Sequence, residues 1–107
     1  MSEATKEEIT EWMILFNVSD CESVSTIANI YIIESELKEV NLRKFRKLLK
    51  DSLIYDELLK LGYTDRSRRF TARQQQLVMM HLGKPKKALK ELERTKRMLN
   101  KGRDLLL

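Results

Sequence analysis

Apolar residues recur at helical spacing along most of the chain, and β-branched residues never alternate with polar ones over a long stretch. With three glycines and one proline to interrupt it, this pattern predicts an all-α protein. The first helix opens at "TKEE", where the Thr5 hydroxyl and the Glu8 carboxylate can form a capping box. Ile9, Trp12, Met13 and Phe16 follow as a single buried stripe, until Asn17 to Asp20 break it. A second box, "SDCE", predicts that helix two starts at Ser19, with Cys21 as a small residue of its first turn and Val24, Ile27, Ala28 and Tyr31 facing inward.

The pattern blurs over "IIESELKEV", read here as a turn with one short helical piece, and Asn41 then serves as the expected cap of a third helix, "LRKFRKLLK". Leu42, Phe45, Leu48 and Leu49 form its inner face. "DSLIYDELLKLG" predicts another helix, buried through Leu53, Ile54, Leu58 and Leu61 and stopped by Gly62. After the loop "YTDRSRR", a third box, "TARQ", opens a helix with Leu77, Val78, Met80 and Leu82 inward and Met79 and His81 at its flanks. Gly83 ends that helix, and Pro85 suits the first turn of the next. The last segment places Ala88, Leu92, Thr95 and Leu99 on a narrow seam of coiled-coil spacing, a candidate dimerisation surface.

The expected organisation is a compact helical domain over 1–84 with a helix-turn-helix-like core, followed by a basic amphipathic helix over 85–107, five to six helices in all. A chain of 107 residues can bury one modest core. No apolar run reaches the length of a membrane span, the acidic N-terminus lacks the basic start of a signal peptide, and a single cysteine permits no internal disulfide. These features predict a soluble cytoplasmic protein with no membrane partner.

Charge changes the picture. Residues 1–41 carry nine acids and two bases, a balance of −7, whereas residues 42–107 carry nineteen bases and seven acids, a balance of +12. Such asymmetry points to an anionic partner for the basic part, nucleic acid first and an acidic membrane surface second, or to acidic and basic parts facing each other within one fold.

Catalytic chemistry finds little material. One histidine and one cysteine sixty residues apart supply neither a nucleophile with its base nor a metal site, and no glycine-rich phosphate loop is present. The expectation is a non-enzymatic protein without metal, cofactor or small-molecule substrate. The cations are more informative. Arg43, Arg46, Lys47 and Lys50 lie at i, i+3, i+4 and i+7 on the helix "LRKFRKLLK", as a helix entering the major groove requires. Arg43, nearest the start of that helix, is the candidate for reading a base edge, and the other three are candidates for phosphate. Arg66, Arg68, Arg69 and Arg73 crowd the start of the helix at Thr71, where partial positive charge disfavours cations and favours an anion. They too are candidate phosphate contacts of a DNA-binding regulator. The alternative is a protein-interaction module, a homodimer or adaptor using Ala88, Leu92, Leu99 and the exposed part of "WMILF", whose basic face pairs with its own acidic segment.

The order "TIANIY", "LRKFRKLL", "ELLKLGY", "RRFTARQQQLVMMHLGKP", over about residues 24–85, resembles a small uncharacterised helical family of gut anaerobes and their mobile elements. Shared are the Gly-Tyr pair, the Arg-aromatic-Thr, the Gln and the closing Leu-Gly and Pro. More weakly, "TIANIY", "LRKFRKLL" and "RRFT" resemble winged helix-turn-helix domains of the MerR and excisionase type, in which two short helices precede a basic loop. The first resemblance implies a fold without an assigned activity, and the second implies DNA binding. In this chain the link "IIESELKEVN" is longer than a tight helix-turn-helix turn, and "YTDRSRR" has no strand pattern.

Overall fold

A computed structural model describes residues 4–88. Five helices follow one another: α1 (Lys6–Leu15), α2 (Val24–Tyr31), α3 (Lys38–Lys50), α4 (Tyr55–Lys60) and α5 (Ala72–Leu82), and the chain turns helical again over 86–88. Among the described residues there is no strand, so the fold class is all-α as the periodicity predicts. Also among them, no helix is long and apolar enough to cross a membrane. Leu92 and Leu99, and with them most of the 85–107 segment, lie outside the described residues.

Local sequence sets several element ends. Thr5 accepts from the Glu8 amide at 3.2 Å while Glu8 accepts from the Thr5 amide, and Thr71 and Gln74 repeat this reciprocal cap at α5. α1 ends on Asn17 at φ 52°, with Val18 N–H bonded to Met13 and Asn17 N–H to Ile14. α4 ends in the same way. Gly62 takes φ 93°, its amide donates to Leu59, and the Tyr63 amide donates to Leu58, which satisfies two carbonyls that the last turn leaves without partners.

Elsewhere tertiary contacts move the ends. α2 begins at Val24, capped by Ser23, instead of at Ser19. Glu22 does accept from Ser19 N–H at 3.1 Å, but its own amide donates to Gln75 Oε1 at 2.8 Å, and Gln75 Nε2 donates to the Ser19 carbonyl at 2.7 Å. Buried Gln75 of α5 thus takes the groups that a helix from Ser19 would use. Cys21 is consequently exposed in the turn before α2, not in its first turn. α3 begins at Lys38, one turn earlier than expected, and Asn41 is not its cap. Asn41 is buried, donating to Asn29 Oδ1 and the Ser35 carbonyl and accepting from Ser35 N–H, and so closes the link 32–37 between α2 and α3.

The core is a set of side chains from every helix, with α2 and α3 packed most extensively on each other and α1 on α5. Its aromatic spine joins four elements. Tyr31 of α2 stacks on Phe45 of α3, Phe45 meets Phe70 edge-on, Phe70 packs on Tyr63, and Tyr63 meets Tyr55 of α4, with centroids 5.8–6.5 Å apart. Burying each such ring contributes roughly 1.5–3 kcal/mol. Leu53, expected inside, is 94 % exposed, and Leu48 is 41 % exposed. Leu53 falls in the turn left by α3 ending at Lys50 and α4 starting only at Tyr55, and Leu48 lies off the buried row Asn41, Phe45 and Leu49 of α3. Met79, expected at a flank, is fully buried, as are Gln74 and Gln75 nearly so. Ala88 is buried as well, which spends its side chain within the chain.

Candidate nucleic-acid interface

The link between α4 and α5, residues 63–70, carries three of the eight cations singled out by sequence. It is tied at several points. Thr64 N–H donates to Ser67 Oγ at 2.9 Å and Ser67 N–H to the Thr64 carbonyl, closing a turn that presents Arg66 at its tip. Tyr55 Oη donates to Asp65 at 3.0 Å, and burial between Phe70 and Tyr55 pushes the Tyr63 phenol up from its ordinary pKa. On the other side, the Arg68 carbonyl accepts from Val24 N–H and Phe70 N–H donates to the Glu22 carbonyl, so that Ser23 and Arg69 form a single antiparallel bridge. This pairing is too short to be a strand, yet it lays the arginine segment along the start of α2.

Sequence-predicted cations divide into two kinds. Arg43, Lys47 and Lys50 are exposed on α3, and Arg66, Arg68 and Arg73 are exposed on the loop and the first turn of α5. Arg46 and Arg69 are partly spent on the fold. Arg46 is half-buried, and its Nη2 donates to the Ser67 carbonyl at 2.8 Å while Nη1 reaches Tyr63 Oη at 3.4 Å. Arg69 Nη1 donates to the Cys21 carbonyl at 2.7 Å. Amides of Ser19 and Ser23 hold the Glu22 carboxyl below its ordinary pKa, with a smaller contribution from Arg69. The earlier start of α3 also changes one assignment: Arg43 stands in the second turn, one turn after Glu39, instead of at the helix start.

Acids of the 1–41 segment meet this surface at two places, Glu34 on Lys44 and Glu22 near Arg69. Glu7, Glu8 and Glu11 are exposed on α1, and among the described residues none of them forms an ion pair with the cations of α3 or the loop. The ion pairs there belong to Glu34, which meets Lys44 at 2.7 Å and Lys86 at 3.8 Å. Lys44 holds the Glu34 carboxyl below its ordinary pKa by a direct hydrogen bond. Among the described residues no cluster of three metal-ligating side chains occurs.

Three residues that shape the site escaped the periodicity: Tyr63, Phe70 and Gln75. Two had a local signal. An apolar residue two positions past a helix end commonly packs back on the last turn, as Tyr63 does on Leu58, and an apolar residue just before an N-cap anchors the entering chain. Gln75 had none, because its partners lie 53 and 56 residues away.

The match to a family runs over this same part of the chain. Residues 21–85 match the family described as Domain of unknown function (DUF4248). The chain belongs to this family. The DUF4248 region runs from the turn before α2 to Pro85, and so contains α3, the arginine loop and the aromatic spine while leaving α1 outside. No curated protein and no solved structure matches the chain.

Proposed function

We propose that this DUF4248 protein is a small non-enzymatic DNA-binding regulator or accessory protein, in which α2 and α3 act as a helix-turn-helix-like pair with a basic loop beside it. The observation that carries this reading is the Arg46 bond to Ser67: it sets the cationic face of α3 and the arginine loop side by side. Arg43 is assigned to base edges, where a guanidinium can grip guanine bidentately, and Lys47, Lys50, Arg66, Arg68, Arg69 and Arg73 to phosphates. The resemblance to MerR and excisionase domains supports the same arrangement, and the resemblance to a family of mobile elements suggests the setting.

Fluorescence anisotropy with mixed-sequence duplexes at two salt concentrations tests it. Affinity is expected to fall steeply with salt, because each neutralised phosphate releases counterions, and absence of binding at low salt overturns the reading. One observation favours the interaction-module alternative. Ile14 and Leu15, at the end of α1, are 76 % and 59 % exposed, an apolar pair suited to a protein partner or a second copy. Light scattering before and after Ile14→Ser and Leu15→Ser separates that role, since these changes are expected to leave DNA affinity unaltered.

A further inference from the structure

Arg46 was grouped by sequence with the phosphate contacts, but its surroundings set it apart from the other seven cations. It is the one among them that is half-buried rather than exposed, and two of its donors already have acceptors within the protein. Both acceptors belong to the 63–70 link. Ser67, whose carbonyl takes the shorter bond, lies between Arg66 and Arg68 in the chain. The other ties of that link run to α4 through Asp65 and to the start of α2 through Arg68, Arg69 and Phe70. Among the described residues, Arg46 supplies the polar connection from the arginine turn to α3.

We propose that Arg46 is a positioning residue that locks the Arg66–Arg68 turn in register with the cationic face of α3, so that both meet one nucleic-acid backbone together. This rests on the DNA-binding reading above and assigns Arg46 a different task within it. A guanidinium suits that task because its planar fork offers fixed, divergent donors to two acceptors at once, whereas an ammonium carries its three donors on one rotating nitrogen and fixes no geometry between the acceptors. Removing the fork leaves the Phe45–Phe70 and Phe70–Tyr63 contacts in place, so the fold is retained while the turn loses its tie to α3. Binding then suffers through Arg66 and Arg68, which must be ordered when DNA arrives instead of beforehand.

The experiment uses the full chain and two readouts. In the free protein, amide hydrogen exchange followed by NMR is expected to show faster exchange at Ser67 in Arg46→Gln, with partial restoration in Arg46→Lys and unchanged protection across α5. Unchanged exchange at Ser67 overturns the proposal. In a double-mutant cycle on a mixed-sequence duplex, Arg46→Gln is expected to weaken binding about tenfold in the wild-type background, and to have little further effect once Arg66 and Arg68 are alanine. Strictly additive losses, with the salt slope falling by about one at Arg46→Gln, identify an ordinary phosphate contact and overturn it. If the wild-type chain binds no duplex, the functional reading fails, and the exchange measurement still decides whether Arg46 holds the turn.

Discussion

The cationic face of α3 and the arginine segment ahead of α5 carry the same kind of charge at opposite ends of a helix. Lys47 and Lys50 occupy the last turn of α3, where the carbonyl ends of the helix welcome cations. Arg68, Arg69 and Arg73 flank the first turn of α5, where the amide ends disfavour them and no acid is present. The lysines therefore have a local structural reason to be where they are, apart from any partner. Arg69 has a partial one in the Cys21 carbonyl and nearby Glu22, whereas Arg66, Arg68 and Arg73 make no side-chain hydrogen bond or ion pair among the described residues. That difference separates charges that the fold accounts for from charges to which the described residues give no partner.

Breaking the junction between the two regions should have the largest effect. Phe70 is 1 % exposed and joins Phe45 of α3 to Tyr63, so Phe70→Ala is expected to cost about 3–5 kcal/mol of stability, measured by urea unfolding. Charge reversal at Arg66 and Arg68 should sharpen the contrast instead: DNA affinity measured by anisotropy falls by about a hundredfold at low salt, with the urea midpoint nearly unchanged. Smaller and opposite effects on stability are expected at the helix ends. Lys47→Gln with Lys50→Gln should lose about 0.3–1 kcal/mol in thermal or urea unfolding, and Arg73→Glu should gain a few tenths of a kcal/mol, because their dipole interactions differ in sign.

The smallest effect is one of pH. Because folding depresses the Glu22 pKa, the carboxylate stabilises the fold at pH values above its unfolded pKa, and this contribution is lost as pH falls through the lower folded value. The stability difference between wild type and Glu22→Gln, followed by urea unfolding, should be flat above about pH 5 and shrink below about pH 4.

How much was legible follows from how far each residue's partner lies along the chain. Thr5 with Glu8, Thr71 with Gln74, and the stop at Gly62 are settled within three to five residues, and the expected caps and ends are present there. "SDCE" has the same signature as the other two boxes and starts no helix, because Gln75 occupies the Glu22 amide and the Ser19 carbonyl. Asn41 reads as a cap and is a buried clasp, because Asn29 and Ser35 lie where α2 and its link meet α3. Of the candidate site, the cations themselves were legible, and their division into exposed and engaged groups was not. A hydrogen bond from Arg46 to a carbonyl 21 residues away leaves no periodic trace.

The sequence by itself determined that this protein is helical, where α1 and α5 begin, and that its second part is rich in positive charge, since propensity, capping and composition act locally. Tertiary structure alone decided where α2 and α3 begin, that Gln75 bonds Ser19 and Glu22, and that the arginine loop is tied to α3 through Arg46. Buried polar groups must find partners wherever the fold brings them, and such a requirement overrides a local preference worth about 1 kcal/mol.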